Sequence, residues 1–187
     1  DNRVRKLDYS IQISKLFYER FIKNAEITLF SPNHVPDLYE AFGMPEFDSL
    51  YLKYEKDKSI PKQTIGAQEL FQALLKERAE TGRIYIMNID HCNTHSSFKD
   101  KVYMSNLCQE ITLPTKPVKH IDDPEGEIAL CILSAINLGL IKEKDELEEL
   151  CDLSVRALDE IIDYQEYPVE AARKSTEARR SLGIGYI

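Results

Sequence analysis

Apolar positions recur along this chain in two rhythms, one close to the helical repeat and one close to the alternation of a strand. From about Val4 to Lys23, Leu7, Ile11, Phe17 and Phe21, with Tyr18 beside them, fall near the helical spacing and predict an amphipathic helix. Glu26 to Phe30 reads as a short buried strand, and Ser31-Pro32-Asn33 breaks it. Pro36 opens a short helix that Gly43 is placed to end in a left-handed conformation. Phe47, Leu50, Tyr51 and Tyr54 suit another short helix. Thr64 to Glu80 sets Ala67, Leu70, Phe71, Leu74 and Leu75 on one stripe, with Thr81-Gly82 as its stop. Arg83 to Ile89 reads as a strand, and the polar run from Asp90 to Ser97 as a loop.

Asn106 to Leu113 is short and alternating, and Pro114 and Pro117 end it. Glu127 to Ile136 is nearly all apolar, as strands buried on both faces of a parallel sheet are. A long acidic helix is expected from about Lys144 to Tyr164, with Leu147, Leu150, Cys151, Val155, Leu158 and Ile162 inward. Val169 to Arg180 reads as a further helix, and Gly183 and Gly185 as a strand that something approaches closely. Buried strands alternating with amphipathic helices argue for an α/β barrel or a doubly wound sheet, between which periodicity does not choose.

Composition narrows the class. With 43% hydrophobic and 30% charged residues, the 187-residue chain has the make-up of a globular unit. No apolar run approaches the roughly 18 residues a membrane span needs, so the expected location is cytoplasmic, with no membrane partner. Twenty-four basic against 32 acidic residues give a formal charge of −8, and the scattered basic positions disfavour nucleic acid. The phosphates of any nucleotide would have to be held by backbone N–H groups or by residues outside the chain. The chain opens at Asp1 on a helical pattern and stops within Leu182 to Ile187, so a piece of a longer protein is expected.

Four irregularly spaced cysteines, Cys92, Cys108, Cys131 and Cys151, leave redox, metal and core roles in competition. In an extended segment Asn106, Cys108 and Glu110 would share one face while Leu107 and Gln109 point away. That face would offer one ligand an amide, a thiol and a carboxylate, which serve respectively as hydroxyl anchor, hydrogen-atom donor or nucleophile, and general base. An edge strand with one packed thiol is the plainer alternative. Cys151 falls on the inward stripe of the acidic helix. Cys92 sits between His91 and His95, where zinc binding competes with ordering of a turn. Arg179-Arg180 could grip a phosphate or pair with the acidic helix, and Gly183-Ile184-Gly185 is only weakly like a nucleotide loop.

Four segments, taken together and in this order, resemble the large subunit of class I ribonucleotide reductases. They are Asp90-His91-Cys92-Asn93-Thr94-His95-Ser96, Ser105-Asn106-Leu107-Cys108-Gln109-Glu110-Ile111, Gly126-Glu127-Ile128-Ala129-Leu130-Cys131 and Arg179-Arg180-Ser181-Leu182-Gly183-Ile184-Gly185. The resemblance implies an α/β fold that is part of a ten-stranded barrel of two parallel half-barrels with a central finger loop. Residues 1–187 would then be a fragment of the catalytic barrel domain, with 1–82 a mainly helical lead-in and 83–187 carrying strands, finger loop and active-site helices.

The resemblance also implies roles. Cys108, at the tip of the finger loop in a site closed to solvent, would become a transient thiyl radical and take the 3′ hydrogen of a ribonucleoside diphosphate. Glu110 would receive the 3′-hydroxyl proton, and Asn106 would hold the substrate hydroxyls. Cys131 would be half of a redox-active disulfide whose partner lies on an upstream strand. No cofactor or metal is expected in this chain. The parent enzyme would draw its radical from a metal-containing small subunit and bind ATP or deoxynucleotide effectors. It would be re-reduced by thioredoxin or glutaredoxin and form a dimer, and the fragment alone would be inert. The rival readings are a small zinc module built on His91, Cys92, His95 and Cys108, and a fragment serving only as scaffold.

Overall fold

A computed structural model describes residues 7–187. Two compact units divide the chain, Asp1–Thr112 and Leu113–Ile187.

The first unit begins with β1 (Tyr9–Ile13), followed by α1 (Lys15–Ile22) and β2 (Glu26–Phe30). The long opening helix expected from Val4 is thus a strand and a shorter helix; Val4 to Lys6 lie outside the described residues. Tyr9, Ile11 and Ile13 alternate with Ser10 and Gln12, a period of two that Leu7, Ile11 and Phe17 overlay with a helical spacing. Ser14 separates the two elements. Its hydroxyl accepts from Phe17 N at 3.4 Å, an N-cap, and the Asp90 carboxylate accepts the Lys15 N–H.

Next come α2 (Pro36–Ala41), α3 (Phe47–Lys56), β3 (Lys62–Gly66), α4 (Ala67–Thr81), β4 (Ile84–Asn88) and α5 (Ile89–Thr94). Gly43 and Gly82 take positive φ, 79° and 69°, and Gly82 closes α4 by donating to Arg78 O at 2.8 Å. α4 starts later than its stripe suggests because Lys62 to Gly66 pairs antiparallel with β2, from Phe30↔Lys62 to Glu26↔Gly66. β1 and β4 pair in parallel, Tyr9↔Ile84 through Ile13↔Asn88. Helix faces pack on these strands around Leu16, Phe17, Ile27, Phe47 and Tyr51. The expected loop after β4 winds instead into α5, whose Ile89 is 1% exposed and packs with Met87 and Val102.

The second unit contains β5 (Ile132–Ile136), α6 (Lys144–Tyr164), α7 (Glu170–Arg179) and β6 (Leu182–Tyr186). β5 and β6 are parallel, Ile132↔Leu182 through Ile136↔Tyr186. The strand expected from Glu127 begins only at Ile132. Glu127 instead forms an isolated antiparallel bridge with Lys116, and the Ile128 N–H donates to Ala171 O at 3.1 Å. α6 covers the expected span, with Leu158 and Ile162 buried, whereas Val155, expected inward, is 48% exposed.

The α/β class therefore holds, but the described residues form three two-stranded sheets and no closed barrel. Parallel pairs normally lie inside larger sheets covered on both faces. Here each pair keeps unpaired edges, and Leu133 is 61% exposed.

Candidate functional site

Residues 105–111 form a tight turn rather than an extended strand. Gln109 N donates to Asn106 O at 3.1 Å, and Gln109 sits at φ 64°, a left-handed conformation costing a non-glycine residue about 1 kcal/mol. The turn closes because Asn106 Oδ1 accepts from Ile111 N at 3.1 Å, with the Ser105 hydroxyl also 3.1 Å away. Its single proton is better placed on Ile111 O, which the Ser105 hydroxyl reaches at 2.6 Å. Two short polar side chains thus replace ladder partners, which corrects the single-face arrangement of Asn106, Cys108 and Glu110. Cys108 and Glu110 are exposed, while the Gln109 side-chain oxygen is buried without a hydrogen-bond partner. Asn106 spends its carbonyl oxygen on the turn, leaving the amide nitrogen as the group to offer a ligand.

Exposure of Cys108 departs from the expected solvent-excluded site. The apolar cavity of about 220 Å³ in the first unit is lined by Ile11, Phe17, Phe47, Tyr51 and their neighbours, without a thiol or carboxylate.

Cys131, in the second unit, is half-buried and not in a disulfide. A Cβ added at Gly183 would stand 3.1 Å from its sulfur and 2.5 Å from Leu133 Cδ2, so the close approach expected at this glycine is made by the cysteine segment. Four residues earlier, Glu127 is 6% exposed and lies between two cations. Its carboxylate meets Lys116 Nζ at 2.6 Å and Arg179 Nη1 at 2.5 Å. Burial pushes this carboxyl up, but the hydrogen bonds and charges of Lys116 and Arg179 outweigh it and hold it below the ordinary value. The lone glutamate in an apolar run and the arginine at the end of a helix were the signals of this anchor, which pattern reading passed over.

Arg180 binds Asp159 at 2.7 Å and Asp163 at 2.8 Å, so the arginine pair serves ion pairing, with α6 in the case of Arg180. Cys92 packs beside Met87 and Ile89, and burial raises its thiol. His91 and His95 meet edge to face at 5.4 Å, and among the described residues no three His, Cys, Asp or Glu side chains are grouped to hold a metal. The zinc-module reading has no geometry behind it. Cys151 is half-buried, its sulfur 3.9 Å from the Tyr186 hydroxyl.

The fold and the turn define an α/β protein that carries an exposed thiol on a side-chain-locked turn, and comparison with known proteins gives the family. The family model described as ribonucleotide reductase, barrel domain, matches residues 1–187, and the chain belongs to that family. It is 62% identical to the ribonucleoside-diphosphate reductase subunit alpha of Haemophilus influenzae and 59% identical to the ribonucleoside-diphosphate reductase 1 subunit alpha of Escherichia coli K12. All of the chain and 25% of each relative are covered. The subunit alpha of Enterobacteria phage T4 is 44% identical over 99% of the chain. The chain spans about a quarter of the length of these curated relatives. No helix among the described residues is long and apolar enough to cross a membrane.

Proposed function

We propose that this chain is the part of a ribonucleotide reductase catalytic subunit that carries the radical cysteine and one reducing cysteine. It works within a ten-stranded barrel whose other strands extend the free edges of β1, β4, β5 and β6. The observation that carries the reading is the turn at 105–111, which holds Cys108 outward on a backbone locked by Ser105 and Asn106. A radical abstracts hydrogen from whatever donor it reaches, so its carrier must be held still and enclosed by the rest of the subunit.

In this mechanism the Cys108 thiyl takes the 3′ hydrogen atom of a ribonucleoside diphosphate and becomes a thiol. Glu110 accepts the 3′-hydroxyl proton, which helps expel the 2′-hydroxyl as water, and the Asn106 amide nitrogen orients the hydroxyls. Cys131 and a thiol outside this chain supply two electrons and two protons, one proton leaving in the water and one ending on the 2′ carbon, and become a disulfide; Cys108 then returns its hydrogen to the 3′ carbon. The initiating radical comes from a metal-containing small subunit, nucleotide effectors bind elsewhere in a dimeric parent, and thioredoxin or glutaredoxin restores the dithiol. The test is Cys108→Ser in the complete enzyme. Nucleotide reduction is expected to fall at least about a thousandfold with substrate binding retained, and substantial turnover by that variant sinks the proposal.

A further inference from the structure

We propose that Asn93 is a positioning residue for Cys108, fixing the root of the loop whose tip carries that thiol. The inference rests on the radical role proposed for Cys108. In α5, the Asn93 side chain lies against the backbone of Val102 like a strand partner: Val102 N donates to Oδ1 at 2.8 Å, and Nδ2 donates to Val102 O at 3.1 Å. Nδ2 also donates to Ile89 O at 3.2 Å, which sets the amide plane from within its own helix. Val102 is fully buried against Met87 and Ile89, so the clamped residue is both hydrogen-bonded and packed. One residue on, Gln12 Nε2 of β1 donates to Tyr103 O at 2.7 Å. The loop is therefore fastened twice at its root, on Asn93 and Gln12, and once near its tip, on Ser105 and Asn106.

The backing of the clamp is equally specific. Gly43 lies so close that an added Cβ would stand 3.0 Å from Asn93 Nδ2 and 2.5 Å from Ile89 Cγ1. No other side chain replaces this clamp, because it requires a donor and an acceptor in one plane at that reach: aspartate has no donor, leucine has neither, and glutamine is one methylene too long. This assigns a task to the segment Asp90 to Ser96 that neither metal binding nor substrate chemistry explains. A misplacement of about 1 Å in a reacting atom costs on the order of a hundredfold in rate, so a residue remote from the substrate controls turnover through the loop root.

The test is Asn93→Ala in the complete enzyme, assayed with its small subunit. Expected are a drop in kcat of at least tenfold with KM nearly unchanged, faster amide hydrogen exchange confined to 102–111, and altered alkylation kinetics of Cys108. Unchanged kcat, or local loosening without loss of kcat, overturns the inference. So does exchange that rises equally across the first unit, since that describes a general folding role. Cys108→Ser assayed in parallel separates the two failures: activity lost there but intact in Asn93→Ala removes the positioning role alone, whereas activity intact in Cys108→Ser removes the radical role beneath it.

Discussion

The two units hold their cysteines by different means. Around Cys108 the anchors are neutral amides and a hydroxyl, Asn93, Gln12, Ser105 and Asn106, bonding to backbone. Around Cys131 they are charges: Glu127 between Lys116 and Arg179, and Arg180 against Asp159 and Asp163. Neutral anchors neither titrate nor respond strongly to salt, which suits the role proposed for the Cys108 thiol. Buried charges carry a desolvation cost and fail abruptly when one partner is lost. The contrast teaches that the two thiols should respond differently to the same perturbation.

The largest expected difference is at Glu127. Glu127→Ala leaves the Arg179 guanidinium, 9% exposed, without its carboxylate, and removing one partner of a buried pair costs about 3–5 kcal/mol. Amide exchange at Ile128 and Ile132 in the complete subunit is the measurement, and it should accelerate by more than a hundredfold while Val102 is unaffected. Comparable protection in the variant would mean that charge is not what anchors the Cys131 segment.

Acid should produce a weaker form of the same split. The Glu127 carboxyl is held below its ordinary value, so the unfolded segment binds more protons than the folded one at low pH. Its contribution is complete above the ordinary carboxylate value, near 4, and is lost as pH falls through the lower folded value. Protection at Ile128, corrected for intrinsic exchange, should therefore decline below about pH 4. The clamp on Val102 contains no titrating group. A parallel decline there would show that the two anchors are not independent.

Much of this scaffold is legible in local signals. α4 and α6 declare themselves through stripes of apolar residues, and Gly82 through its left-handed stop. What escapes pattern reading depends on partners distant in sequence. β1 is a strand because β4, about 75 residues on, pairs with it, although Ile11 also fits a helical stripe. Residues 128–131 are apolar enough for a strand but lack ladder partners there, since Glu127 is drawn to Lys116 and Ile128 to Ala171. At the candidate site, Cys108 and its polar neighbours were conspicuous as residue types. The geometry was not, because an asparagine side chain bonding Ile111 curls an alternating segment into a turn. Asn93 was hidden for the same reason: its partner Val102 is nine positions away, across a loop with no periodicity.

The smallest expected effect decides whether burial or charge itself makes the second anchor strong. Arg180 is only partly covered, 35% exposed, and pairs with carboxylates that are 49% and 61% exposed, so its ion pairs should contribute less than about 1 kcal/mol. It also occupies φ 45° at the end of α7, where a side chain costs about 1 kcal/mol that glycine avoids. Arg180→Gly exchanges a weak pair for relief of that conformation and should be nearly neutral, whereas Arg180→Ala loses the pair and keeps the strain. Exchange at Ile132, whose N–H donates to Ser181 O at 3.3 Å, should be close to wild type in the glycine variant and several-fold faster in the alanine variant. If both variants loosen Ile132 as much as Glu127→Ala does, exposed charge anchors this segment as firmly as buried charge. The contrast between the units would then be one of chemistry alone.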